Sequence, residues 1–371
     1  MAIPENIHND LNLAVIGNCS FSALIDRGGR ISWCCLPHFD GDPVFCSLVN
    51  DTSGQDDKDQ WGFWDFRLED LESTEQRYIP NTAILETVMT DSQGNALKIT
   101  DFAPRYQHYG RFYKPSKLCR MVEPLQGTPR ITVRLRPRFD KGETAPYVTR
   151  GGNHIRFSCT DLALRLTTNA PVVYVLNEVC FQLDKKYTFF LGPDEPLRQD
   201  IEVAGVRFLE ETESYWREYV RSLALPFEWQ EVLIRSAITL KLCTFEETGA
   251  VLAALTSSIP EAPGSKRNWD YRFCWMRDSL FVINALNRLG ATKTMEDYIH
   301  YIMNASMAGA GGDLQPLYGI SLQQKIEETE SANLAGYRGM GPVRFGNEAY
   351  IQKQNDVWGS VVLAITQAFF D

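Results

Sequence analysis

Twelve consecutive residues, Arg267-Asn-Trp-Asp-Tyr-Arg-Phe-Cys-Trp-Met-Arg-Asp278, carry four aromatic rings, three arginines and two aspartates. Aromatic faces stack on the C–H surfaces of sugar rings. A guanidinium donates a planar fork of N–H bonds, and a carboxylate accepts from neighbouring hydroxyls. A site for a neutral polyol needs both ingredients together, and once built it rejects analogues that lack the hydroxyls. Arg277 and Asp278 are candidate hydroxyl partners, and Trp275 and Trp269 are candidate ring platforms or pocket wall. The competing reading is an aromatic turn with its charges paired and Asp278 serving as a helix N-cap.

Other polar residues read more plainly. Arg344 stands in Gly341-Pro-Val-Arg-Phe-Gly-Asn347, a glycine-flanked loop that presents one cation, and a loop arginine of this kind pairs readily with an acid. Asp356 reads as a helix cap, Gln354 as a loop-packing partner and Trp358 as core. The run Lys325-Ile-Glu-Glu-Thr-Glu330 reads as a solvated helical face, so Glu327, Glu328 and Glu330 are not taken as catalysts. The five histidines lie far apart, and their spacing points to no metal site.

The elements that must position these residues change character along the chain. Up to about residue 205 the sequence is β-rich. Asp26-Arg-Gly-Gly-Arg30, Asp91-Ser-Gln-Gly-Asn95 and Thr149-Arg-Gly-Gly-Asn153 read as hairpin turns. Leu97–Phe102, Ile131–Arg136 and His154–Cys159 alternate apolar and polar residues as half-buried strands do. Many short strands predict an antiparallel β-sandwich. Beyond it the period becomes helical. A connecting helix is expected within 206–226, then a helix from Trp229 to Phe245 buried on most sides. Others are expected from Asp278 to Leu289, from Thr294 to Met307 and from Asp356 to Phe370, with residues 309–312 as a flexible loop. The division expected is 1–205, 206–226 and 227–371, an α+β multidomain chain.

Bulk properties exclude several classes. A net charge of −10 is a poor match to nucleic acid or an anionic membrane surface. No apolar run is long enough for a transmembrane helix. Met1–Asp10 lacks the basic and apolar regions of a secretory signal. Nine cysteines without CxxC pairs read as free, mostly buried thiols, and the chain is expected to be cytoplasmic.

Asn268-Trp-Asp-Tyr-Arg272 and Cys274-Trp-Met-Arg-Asp278 resemble the signature segment of glycoside hydrolase family 15, the inverting glucoamylases and their trehalase-like bacterial relatives. Ile16-Gly-Asn through Trp33 and Leu36-Pro-His-Phe-Asp40 resemble the start of that family's bacterial N-terminal domain. Ala253-Ala-Leu-Thr-Ser-Ser-Ile-Pro-Glu261 resembles the strand entering its barrel, and Pro342–Asn347 with Gln352, Gln354 and Asp356 a later barrel loop. The resemblance implies a β-sandwich followed by an (α/α) six-hairpin barrel, of which this chain holds the first half. It implies hydrolysis of a nonreducing-end α-glucosidic bond with inversion, without cofactor, on an oligosaccharide or disaccharide of glucose. It assigns Arg277 and Asp278 to the terminal glucose and Arg344 to the pocket lining. The general acid and base glutamates are expected beyond residue 371, so the chain alone is expected to be inactive and to expose an apolar helical face. The alternatives are a disaccharide phosphorylase of related architecture and an inactive carbohydrate-binding fragment.

Overall fold

A computed structural model describes residues 10–52, 55–308 and 314–370. The chain is α+β and divides into two compact units, Met1–Arg217 and Glu218–Asp371.

In the first unit the alternating segments form two antiparallel sheets. One has seven strands: Ala14–Gly17, Ser22–Ile25, Ile31–Leu36, Asp42–Phe45, Phe63–Leu68, Arg130–Arg136 and Phe181–Gln182. The other has eight, with Tyr147–Arg150 at one edge and Leu71–Tyr78 at the other. Their facing residues, among them Ile25, Trp64, Phe66, Leu97, Ile99, Val133 and Phe189, form a single hydrophobic cluster, as in a sandwich. The turns follow from their residues. The Asp26 carboxylate accepts from the amides of Gly28 and Arg30, both at 2.9 Å, and Gly29 takes the left-handed φ of 76°. Asp91 does the same for Gln93 and Asn95 at 2.8 and 2.9 Å, beside Gly94 at φ 80°.

One charged pair sits inside this apolar core. Arg120 and Asp101, both wholly buried, meet through Nε at 2.8 Å and a second nitrogen at 3.0 Å. The guanidinium also donates to the carbonyls of Trp64 and Gly29, at 2.7 and 2.5 Å. It thereby ties three strands and the turn at Gly29 together. Burial pushes the Asp101 carboxyl above its ordinary range, against the pull of Arg120.

Among the described residues there are six α-helices, which we number α1 (Val172–Leu176), α2 (Ile201–Arg221), α3 (Gln230–Leu242), α4 (Met276–Arg288), α5 (Thr292–Ala308) and α6 (Asp356–Phe370). Helix α2 begins earlier than the charge pattern predicts. Asp200 caps it, accepting from the amides of Glu202 and Val203, and Ile201, Ala204 and Phe208 cover Phe102, Cys119, Met121 and Phe190 of the second sheet. Helix α3 is buried only toward its C-terminal end, at Ala237, Ile238, Lys241 and Leu242, while Val232 is exposed. Helix α4 starts at Met276, so Asp278 lies in its first turn and is not its cap. Gly290 follows it at φ 75°, in the place a C′ glycine takes. Trp358 is 50% exposed rather than core, because α6 buries Val357, Ser360, Val361 and Ala364 instead. The expected loop at 309–312 lies outside the described residues. None of the nine cysteines, all of them among the described residues, is in a disulfide, and six are buried.

Replacing Arg120 with Leu leaves Asp101 buried and unpaired, a change that costs about 3–5 kcal/mol. Chemical denaturation of the Arg120→Leu protein is expected to show that loss; a loss below about 1 kcal/mol would show the pair to be dispensable.

Candidate functional site

In the second unit the chemistry-bearing segments are brought together by backbone pairing. Residues 253–261 run antiparallel to 267–273. The amides of Ala253, Ala254, Ser258 and Glu261 donate to the carbonyls of Phe273, Tyr271, Trp269 and Arg267, at 2.9–3.0 Å. The chain then passes through Cys274–Trp275, which pairs with Leu317–Tyr318, directly into α4.

Buried polar side chains fasten the third segment, Pro342–Asn347, onto this hairpin. Asn268 donates to the carbonyls of Pro342 at 2.7 Å and Met340 at 3.0 Å. Asn347 donates to the Asp270 carbonyl at 2.9 Å. The Asp270 carboxylate, fully buried, accepts from Arg272 Nε at 2.9 Å, from its terminal nitrogen at 2.8 Å and from the Gly346 amide at 3.2 Å. Ser258 accepts from the Arg344 amide at 2.7 Å, and Ser257 donates to the Arg344 carbonyl. Gly346 has φ 82°, and a Cβ there would lie 1.9 Å from the Glu327 carbonyl oxygen, so residues 327–328, which lead into the strand at 329–331, can approach only a glycine.

These fastenings frame a cavity of about 690 Å³. Trp269, Tyr271, Trp275, Arg277 and Asp278 are on its wall, with Arg267, Glu261, Glu328, Glu348, Gln352 and Gln354. Its apolar side is formed by Trp275, Ala349, Ala253 and Tyr271, which pack with Phe273, Leu317 and Ile326 in one hydrophobic cluster. The Tyr271 and Trp275 rings are 5.9 Å apart and inclined at 52°. Trp275 is almost wholly buried, and its indole N–H has no partner among the described residues. Burial raises the Tyr271 hydroxyl above its ordinary range, with Glu261 adding to the effect, so it stays a neutral donor at neutral pH.

Helix α4 places Arg277 and Asp278 in its first turn, each about half exposed. The Arg277 guanidinium donates to Asp356 at 2.8 Å and to Gln354 at 3.4 Å, and lies 3.9 Å from the Asp278 carboxylate. Asp278 thus offers an acceptor near the positive end of a helix, where a carboxylate is favoured. The wall therefore presents donors, acceptors and aromatic faces to one space, the requirements for a polyhydroxylated ligand.

The sequence-derived candidates are distributed as follows. Trp269, Trp275, Arg277 and Asp278 stand on the same wall. Arg344 is not among the described lining residues. It lies behind them, pairing with Glu328 at 3.1 Å and Glu330 at 3.2 Å and donating to the carbonyls of Lys266 and Asn268. Gln354, read as loop packing, is on the wall, as is Gln352. The acidic run at 325–330 is not a helical face: Thr329–Ser331 is a strand paired with Val343–Phe345. That pairing turns Glu328 into the cavity wall with its side chain 19% exposed. A charge run carries no signal for this, because the pairing is long-range. Among the described residues no group of histidine, cysteine and acidic side chains could hold a metal ion, and no helix is long and apolar enough to cross a membrane.

Residues 229–370 match the sequence model of glycosyl hydrolases family 15, and residues 8–184 match the trehalase-like N-terminal model. Residues 229–370 are thus identified with the family 15 glycosyl hydrolases, in agreement with the resemblance of the signature segment. It is 30% identical over 357 residues to the trehalase of Thermoplasma volcanium, an alignment covering 94% of this chain and 55% of that protein. With the trehalase of Mycobacterium tuberculosis it shares 31% identity over 382 residues, covering 94% of this chain and 54% of that one. The chain thus spans a little over half the length of these relatives.

Substituting Gly346 by Ala forces apart the strands at 329–331 and 343–345 and weakens the Gly346 amide contact to Asp270. Gly346→Ala is expected to lower unfolding free energy by about 2 kcal/mol or more. An unchanged denaturation midpoint would show that the two strands yield without cost.

Proposed function

We propose that the cavity holds the terminal glucosyl unit of a nonreducing-end α-glucoside, and that the protein serves a glycoside hydrolase of trehalase type. The observation that carries this is the grouping of Arg277, Asp278, Trp275 and Tyr271 on one wall. The relatives' names favour trehalose over longer α-glucans. Arg277 donates to sugar hydroxyls while Asp356 and Gln354 fix its direction, and Asp278 accepts from them. Trp275 and Trp269 cover the C–H surface of the ring. The aromatic and polar roles are complementary, because only a polyol with an apolar face satisfies both.

The chemistry proposed is inverting hydrolysis. A general acid protonates the glycosidic oxygen as the bond to the anomeric carbon breaks. A general base takes a proton from water, whose oxygen bonds that carbon from the opposite face, and the two carboxyl groups stand about 6.5–9.5 Å apart. We assign this pair to the part of the relatives' length that the chain does not span. Residues 1–205 are then the sandwich, 206–226 a connection and 227–371 the first members of an (α/α) helical barrel. No metal or organic cofactor takes part in this scheme.

Trehalose titrated into the 371-residue polypeptide by calorimetry is expected to bind without turnover, and Arg277→Ala or Asp278→Ala to weaken binding at least about tenfold. The full-length enzyme is expected to release α- and β-glucose from trehalose in equal amounts, as NMR would show. Two equivalents of α-glucose would rule out inversion, and turnover that depends on phosphate would point to a phosphorylase instead.

A further inference from the structure

We infer that Glu328 is a third sugar-binding carboxylate of this site, accepting hydrogen bonds from ligand hydroxyls on the wall beside Glu348 and so narrowing which sugars fit. The inference rests on the cavity being a sugar site and adds a specificity-determining residue to it.

Glu328 is built into the wall. It immediately precedes the strand Thr329–Ser331, which is pinned against Val343–Phe345, and Gly346 admits the close approach of residues 327–328. One carboxylate oxygen meets Arg344 Nε at 3.1 Å, and the Glu348 amide donates to the same carboxylate. A carboxylate has about four acceptor positions. These two donors leave roughly half of its capacity for a ligand. With the side chain only 19% exposed and lining the cavity, a ligand there has direct access to the remainder.

Glu330 provides the contrast. It also pairs with Arg344, at 3.2 Å, but its side chain is 59% exposed and it is not among the described lining residues. Arg344 has further acceptors in the carbonyls of Lys266 and Asn268 and in the Asn268 side chain at 3.0 Å, so it does not depend on Glu328 alone. An ion pair needed only for stability would be cheaper at the exposed Glu330, where desolvation is small. Placing a carboxylate at the cavity instead supplies an acceptor. Burial raises the Glu328 carboxyl above its ordinary range, with Glu348 and Glu330 adding to the effect and Arg344 opposing it. The existing donors therefore do not offset its desolvation, and added hydroxyl donors favour its charged form.

The test uses the 371-residue polypeptide and trehalose, with binding followed by calorimetry at several pH values. Glu328→Gln keeps the shape and an acceptor for Arg344 but loses the charge. It is expected to weaken trehalose binding about tenfold, with thermal stability retained. Glu330→Gln is expected to leave affinity within about twofold, as for an exposed pair. In the unchanged protein, affinity should fall as pH drops through the raised range of Glu328. The charged groups around it are Arg344, Glu330 and Glu348, with Asp278 and Glu261 elsewhere on the wall, and Glu328→Gln should remove that portion of the pH dependence. Equal affinity in Glu328→Gln and the unchanged protein would overturn the inference while leaving the sugar site standing. So would an equal loss in Glu330→Gln, which would make the effect one of Arg344 placement. No trehalose binding by the unchanged protein would overturn both.

Discussion

The site depends on one buried carboxylate. Asp270 is fully enclosed, takes one edge of Arg272 in a two-bond pair and accepts from the Gly346 amide, while its own carbonyl accepts from the Asn347 side chain. Removing such a group from water is costly unless every acceptor position is used. Here the donors come from two stretches of chain more than 70 residues apart. The carboxylate thereby specifies which loop meets which hairpin. With Asn268 on the same face holding Met340 and Pro342, the register of the whole wall follows. The exposed Arg277 and Asp278 can then remain half-solvated without losing their positions, because the frame beneath them is rigid.

The same separation of roles divides the signature segment itself. Asn268, Asp270 and Arg272 alternate with Trp269 and Tyr271, and the three former are buried while the two latter reach the cavity. This is the two-residue period of an extended chain: one face supplies the fastening and the other the wall. At Trp275 the extended chain hands over to α4, and Arg277 and Asp278 emerge at its first turn. A single stretch of twelve residues thus contains the staple, the aromatic wall and the two residues proposed as hydroxyl partners.

Much of this was legible from residue types. Asp26 and Asp91 followed by Gly-containing turns announced their hairpins, because the carboxylate-to-amide contacts are local. The dense run at 267–278 announced a shared surface, and Arg267, Trp269, Tyr271, Trp275, Arg277 and Asp278 do stand on one cavity wall. What stayed hidden was long-range. Nothing near Glu328 in the sequence shows that the strand at 329–331 will pair with 343–345, so a wall residue looked like a solvated charge. Arg344 read as a loop cation that pairs with an acid, and it does so, but its partners Glu328 and Glu330 lie just before and within that same unread strand. Helix α2 was placed too late because its charge pattern begins near Glu210, whereas its start is set by the Asp200 cap and by contacts to the sheet.

The central claim is that the cavity beside Trp275 is shaped for a terminal glucosyl ring. Its most direct measurement is a crystal structure of the polypeptide soaked in trehalose. A pyranose is expected in that cavity, its hydroxyls within hydrogen-bond distance of Arg277 and Asp278 and its C–H face against an indole. A cavity filled only by water at saturating trehalose, with sugar ordered elsewhere on the surface, would contradict it.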